Sequence, residues 1–315
     1  MKRGSVRKIS ALIAVALVVP TLAACTSAST ECGVFPSGDA SSVVKVTGKL
    51  GSEPTIDTPT PVIAKSTEVS TVIDGEGPKL VDGQPALVEI SIVSGATGEI
   101  VDSTGYEGGV ILTTGSEALP PATEALECAS VGSRLVVVGT AEETHGGQAI
   151  PDAGVGADDS LIFIVDVLDA FLPKADGTTK PGKNGDPTVV LAPDGRPGVT
   201  IPATEAPDDL VVSVLKEGDG ETVEEGDKVV LNYSGFTWAD NEQFDSSWDR
   251  NQAAIFELSD GTVIEGFIDG LVGQKVGSQV LLVIPPALGY GDQASASIPA
   301  GSTLVFVVDI LGIAG

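Results

Sequence analysis

The sequence predicts an α+β protein built from two copies of one domain, each a curved antiparallel β-sheet wrapped around a short amphipathic helix. Three observations carry this. Valine-rich runs bounded by glycine, proline or charge, such as "KVVLNYSG" (228–235), "VLLVIP" (280–285) and "TLVFVVDIL" (303–311), read as strands. In "VIEGFIDGLVGQ" (263–274), Ile264, Phe267, Ile268 and Leu271 recur at i, i+3, i+4 and i+7, one apolar stripe on a helix ending at Gly273. A short helix with one apolar stripe must bury it, and a sheet of several strands is the available cover.

The third observation is repetition. "DGEGPKLVDGQPALVEI" (74–90) lines up without a gap on "EGDGETVEEGDKVVLNY" (217–233), an offset of 143 residues. That offset also sets "VDST" (101–104) under "FDSS" (244–247) and "LIFIVDVL" (161–168) under "LVFVVDIL" (304–311); with two residues more, "VGSRLVVV" (131–138) matches "VGSQVLLV" (276–283). Constant spacing of strands and turn glycines over more than a hundred residues argues for duplication of one domain.

The chain opens with Lys2, Arg3, Arg7 and Lys8, an apolar run over 9–19, and "LAAC" ending at Cys25, the order of an export signal. The run is shorter than the about 20 residues of a membrane-spanning helix. "LAAC" resembles the lipobox of bacterial lipoproteins, whose cysteine is lipidated and becomes the new N-terminus; the alternative is an ordinary signal peptide cut nearby. The expected organisation is a signal peptide (1–24), a small, polar lipid-anchored tether (25–43), a first domain (44–172), a Pro/Gly/Lys linker (173–187) and a second domain (188–315). Lipidation of Cys25 would hold the protein to the membrane on its extracytoplasmic side. It leaves Cys32 and Cys128, bridged in an oxidising compartment or present as two thiols.

Charge and composition exclude several functions. Residues 1–24 hold four of the 17 basic residues and none of the 44 acidic ones, so the remainder is strongly anionic and a poor partner for nucleic acid. His145, the single histidine, lies in "ETHGGQ" (143–148), read as a solvated loop, which speaks against a Ser-His-Asp hydrolase. No closely spaced Cys/His set suggests a metal, the glycine pairs in "DGEGP" and "EGDGE" are turns and not dinucleotide loops, and "ADNEQFD" (239–245) lacks EF-hand order. No metal or cofactor is expected.

Nine of the 13 aromatic residues lie between Tyr233 and Phe306, and four lie before residue 232. Two copies of one fold need similar numbers of rings for packing, so the excess points to a pocket in the second copy. Packing remains the alternative for Phe236, Trp238 and Trp248 individually.

At these residues the chain resembles the FKBP-type peptidyl-prolyl cis/trans isomerases, the macrolide-binding immunophilins. "VVLNYSG", "FDSSWDRN", "VIEGFIDGLVGQKVGS", "VIPPALGYG" and "IPAGSTLVFVVDIL" follow the family's motifs in order over residues 207–315. The resemblance implies one hydrophobic pocket lined by Tyr233, Phe244, Asp245, Phe256, Val263, Ile264, Phe267, Tyr290, Ile298 and Phe306. Phe267 would form the floor, and Tyr290 and the Ile298 N–H would hydrogen-bond the substrate. Asp245, paired with Arg250 and near Tyr233, would be the polar element. Implied partners are proline-containing client polypeptides and macrolide ligands. Ala254 stands where relatives often carry a ring, and "DQASAS" (292–297) is a small-residue version of the loop over the pocket.

An apolar pocket suffices for such chemistry. Amide rotation faces a barrier of about 18–20 kcal/mol set by resonance, and stripping water from the amide oxygen weakens the planar ground state more than the twisted transition state. A gain of about 10⁵ in rate needs roughly 7 kcal/mol. In the first copy the offsets place Ile90 for Tyr233, Val101 for Phe244, Glu107 for Arg250, Ala122 for Phe267 and His145 for Tyr290, while Asp102 and Phe163 persist. That copy is expected to keep the fold and lack activity. The competing reading is a non-catalytic FKBP-scaffold binding protein or chaperone at the cell surface.

Overall fold

The computed structural model describes residues 35–127, 129–295 and 297–314. Cys25, Cys32 and Cys128, and with them the signal peptide, the lipidation site and the disulfide pairing, lie outside the described residues. The first half runs α1 (Asp39–Ser42), β1 (Lys45–Thr47), β2 (Thr55–Asp57), β3 (Glu68–Ile73), β4 (Pro85–Ser94), β5 (Ile100–Ser103), β6 (Val110–Thr113), α2 (Pro120–Ala125), β7 (Arg134–Gly139), α3 (Ala141–His145) and β8 (Leu161–Ala170). The second runs β9 (Thr178–Thr179), β10 (Thr188–Leu191), β11 (Pro197–Thr200), β12 (Val211–Glu217), β13 (Lys228–Thr237), β14 (Gln243–Ser246), β15 (Ala254–Glu257), α4 (Glu265–Leu271), β16 (Gln279–Ile284) and β17 (Leu304–Ala314).

These elements form antiparallel sheets with few helices, and the two main sheets have the same strand order. It is β5-β4-β8-β7-β3 with β6 also on β4, and β14-β13-β17-β16-β12 with β15 also on β13. Register repeats as well: Glu89 faces Asp166, and Asn232 faces Asp309. The bulge at Leu87/Val88 recurs at Val230/Leu231.

The long strands are apolar on both faces because both faces are covered. On one face of the second sheet, Leu231, Leu282, Phe306 and Val308 meet Phe267 and Leu271 of α4. On the other, Leu281, Val283, Val305 and Val307 pack with Phe236, Trp238 and Val199 of the β10–β11 hairpin. The first half does the same with the β1–β2 hairpin, whose Val46 packs against Val136 and Ile164. The two hairpins pair at Lys45↔Asp57 and Thr188↔Thr200, again 143 residues apart, so the repeat includes them. Trp238 and Phe236 are therefore outer-face packing residues.

Several expectations need correction. The end of the anticipated tether is folded: Phe35 packs against the first core, and α1 is held by the Ser41 N–H donating to Glu68 Oε2 at 3.0 Å. The anticipated linker 173–187 lies along the second sheet, with β9 paired to β12, the Ala175 N–H donating to Asp309 Oδ2 at 2.8 Å and the Lys180 N–H to Leu215 O at 2.8 Å. Main-chain hydrogen bonds hold it, which is why it lacks apolar periodicity. His145 ends helix α3, and its ring nitrogens face the carbonyls of Gln148 and Asp159 at 2.6 and 2.8 Å. Helix α4 buries Gly266, Phe267, Gly270 and Leu271 and has Ile264 packed against the same core, so three of the four stripe residues face the sheet; Ile268 is half-buried, and two glycines share the contact face.

Candidate active site

Alternation along β13 sends Tyr233 and Gly235 to the face that α4 covers, and register then sets Phe306 of β17 and Asp245 of β14 on either side of Gly235. β14 also brings Phe244, β15 brings Phe256, the run into α4 brings Thr262, Val263 and Ile264, and α4 itself brings Phe267. Tyr290 follows the short turn Pro286–Leu288. Together they line a hollow of about 260 Å³.

The rings hold one another edge-on. Phe267 and Phe306 centroids are 4.9 Å apart at 89°, Phe244 and Phe306 5.5 Å at 84°, and Phe256 and Phe267 5.9 Å at 72°. Tyr233 closes the ring of contacts at 5.6 Å from Phe256. Each such pair contributes about 0.5–1.5 kcal/mol beyond its buried area, so the walls are set before any ligand arrives. Gly235 makes this possible: a Cβ there would lie 2.6 Å from Phe244 Cζ and 2.8 Å from Phe306 Cε1.

One polar cluster interrupts the apolar wall. The Tyr233 hydroxyl donates to Asp245 Oδ2, Arg250 Nη1 donates to Asp245 Oδ1, and Arg250 Nη2 donates to the Tyr233 oxygen at 3.2 Å. Burial raises the Asp245 carboxyl, but the hydrogen bonds from Tyr233 and Arg250 outweigh it and leave it below its ordinary value. Burial, and then the bond to Asp245, push the Tyr233 hydroxyl up to about 12, so it stays a donor. The Arg250 and Asp245 side chains are 51% and 38% exposed, and ion pairs this open contribute about 1 kcal/mol or less to stability. Their effect here is geometric: they fix the orientation of the Tyr233 ring.

Nine of the eleven predicted site residues line the hollow. Arg250 stands behind Asp245 as its partner. Ile298 is buried in the adjoining core, and its N–H donates to Ser295 Oγ at 3.1 Å. Thr262 and Gly235 are additions; adjacency to Val263 signals the first, whereas nothing in the pattern announces that two rings converge on the second. Larger hollows occur elsewhere, of about 500 Å³ beside Lys180 and Lys183, 450 Å³ beside Trp248, 340 Å³ beside Phe171 and 270 Å³ beside Lys275, and each is lined by one aromatic ring or none.

In the first half, Ile92 occupies the position of Gly235, facing Phe163 and Asp102 in the same registers. Its side chain belongs to a core with Ile90, Leu112, Ala122 and Phe163, and Phe163 is 1% exposed. Asp102 accepts from its neighbour, the Ser103 N–H, at 2.8 Å.

Residues 219–311 match the model of the FKBP-type peptidyl-prolyl cis-trans isomerase family. The chain is 38% identical over 120 residues to an FK506-binding protein of Streptomyces anulatus, covering 38% of this chain and 97% of that protein. It is 39% identical over 116 residues to a probable FK506-binding protein of Corynebacterium glutamicum, covering 37% and 97%. The crystal structure of FkpA from Escherichia coli aligns at 36% identity and a TM-score of 0.32, covering 42% of this chain and 53% of that one. The chain belongs to the FKBP-type peptidyl-prolyl cis-trans isomerase family and is an enzyme of that class.

Proposed function

We propose that the chain isomerises X-Pro bonds of exported proteins at the outer face of the cell membrane, to which Cys25 anchors it by lipid, and that the hollow around Phe267 is its active site. Each half is one FKBP-type unit, a curved sheet wrapped around its helix, with 188–315 active and 44–172 inactive. X-Pro bonds are the natural substrate, since only there is the cis form appreciably populated, and unaided exchange takes tens to hundreds of seconds. The observation that carries the reading is the preformed set of edge-on rings around a hollow of about 260 Å³. A prolyl ring seated against Phe267 leaves its amide oxygen among apolar walls, where lost hydration weakens the planar form more than the twisted one. Tyr290, 46% exposed at the mouth, donates a hydrogen bond to the bound peptide. The Ile298 N–H does so after releasing Ser295 Oγ. The same hollow receives macrolides such as FK506.

Proline-limited refolding of a reduced, unfolded test protein, with the wild type compared to Phe267→Ala and Asp245→Val, tests the reading. Acceleration by the wild type and roughly tenfold or greater loss in Phe267→Ala are expected. Equal rates in all three would refute the site.

A further inference from the structure

Arg250 lies on the loop 247–253, between β14 and β15, and the residues that follow it are fastened to the first half. The Asn251 side-chain amide donates to Gly115 O at 3.0 Å, Gln252 Nε2 donates to Ile111 O at 2.9 Å, and the Ala253 N–H donates to Thr113 Oγ1 at 3.0 Å. Gln252 Oε1 in turn accepts from the Thr113 N–H at 3.3 Å. Beneath these bonds Ile111 and Phe171 of the first half pack with Val230, Ala253 and Leu311 of the second. Asn251 has φ of +45°, a left-handed conformation that a side-chain hydrogen bond helps to hold. On the other side, Arg196 of the β10–β11 turn grips Asp249. The loop leads at one end to Arg250, which clamps Asp245 and Tyr233, and at the other into β15, which carries Phe256.

We propose that the first repeat is a positioning partner of the isomerase pocket, its Ile111, Thr113 and Gly115 holding the 247–253 loop so that Arg250 stands where Asp245 and Tyr233 need it. This rests on the hollow around Phe267 being the active site. The inactive copy then has a function of its own: its β6 edge is the surface against which the active copy's 247–253 loop is set. Thr113 and Gln252 touch neither the hollow nor Asp245, so they act through Arg250.

The test uses the full chain, with Thr113→Val, Thr113→Ser, Gln252→Ala, Arg250→Ala and the Gln252→Ala/Arg250→Ala pair, each assayed for peptide isomerisation. Thr113→Val and Gln252→Ala are expected to lower kcat/KM roughly five- to tenfold, with Thr113→Ser, which keeps the accepting oxygen, restoring it. The paired variant is expected to be no slower than Arg250→Ala alone, because both changes disable one clamp. A merely structural interface would give additive losses and no rescue by serine. Wild-type rates in Thr113→Val and Gln252→Ala, or additive losses in the pair, overturn the positioning role while leaving the active site intact; an inactive wild type overturns both.

Discussion

Tyr233 sits between an acid and a base, and its hydroxyl is used in both directions: it donates to Asp245 and accepts from Arg250. Among the described residues Tyr233, Arg250 and the Ser246 N–H face Asp245, and each favours its ionised form against the opposing effect of burial. A carboxyl held below its unfolded value contributes stability that is present above the unfolded pKa and lost as pH falls through the folded one. Removing Arg250 leaves burial in place and deletes one of the opposing donors. Arg250→Ala is thus expected to move the Asp245 titration midpoint upward, read from its side-chain carboxyl carbon shift by NMR, and to start the acid loss of activity at higher pH. Identical midpoints in wild type and variant would show that the guanidinium holds no charge in place. Asp245 and Arg250 were legible in the sequence through the motif "FDSSWDRN". The capping of the Ile298 N–H by Ser295 was not, because small polar residues in a loop carry no periodicity that says which backbone group they serve.

Helix and sheet meet differently in the two copies, and the difference is one of matched sizes. In the second, Gly266 and Gly270 of α4 lie against Ile284 and Leu282 of β16, so closely that added Cβ atoms would stand 2.4 Å from each. At the corresponding positions of the first copy α2 carries Pro121 and Ala125 and β7 carries Gly139 and Val137, and Pro121 Cγ lies 3.2 Å from where a Cβ on Gly139 would stand. Bulk has moved from strand to helix while the layer spacing is filled in both. Propensity and packing make opposite predictions for Gly270→Ala: alanine favours helix by about 1 kcal/mol, while overfilling a packed layer costs about 1–3 kcal/mol. Packing is the larger effect, so the variant is expected to unfold at lower urea concentration, with Gly270→Ala/Leu282→Val regaining much of the loss. A stabilised single variant would show that the layer has room. This also explains why the stripe at 264, 267, 268 and 271 located the helix and three of its core residues but missed Gly266 and Gly270, since counting apolar side chains gives glycine no weight where its missing Cβ is the contact. The strands were read correctly because valine-rich runs bounded by turns leave few alternatives. The hairpins β1–β2 and β10–β11 were missed, although "PDGRP" (193–197) marks a turn between two short β-prone runs.

At the scale of the whole molecule, two sheets of the same strand order differ in that one holds a hollow surrounded by rings and the equivalent face of the other is filled by the protein itself. The decisive pair is Gly235 and Ile92. With no side chain at 235, Phe244 and Phe306 can approach edge-on and leave the space between Tyr233 and Phe267 free; with isoleucine at 92, the same space belongs to a core in which Phe163 is 1% exposed. A ring-bearing ligand is therefore expected to enter one half only. A ligand larger than the hollow of about 260 Å³ would insert one ring and rest the remainder on the rim near Tyr290 and Ile264. Calorimetric titration of the full chain with FK506 is expected to give a stoichiometry of one. Phe267→Ala should abolish the heat signal, and Ala122→Phe in the first copy should leave it unchanged if that variant folds. Should the larger ring disrupt the first core, Ile92→Val gives the same information with less perturbation. Two equivalents, or one that survives Phe267→Ala, would mean that the first copy keeps a usable pocket and that its filled core opens on binding.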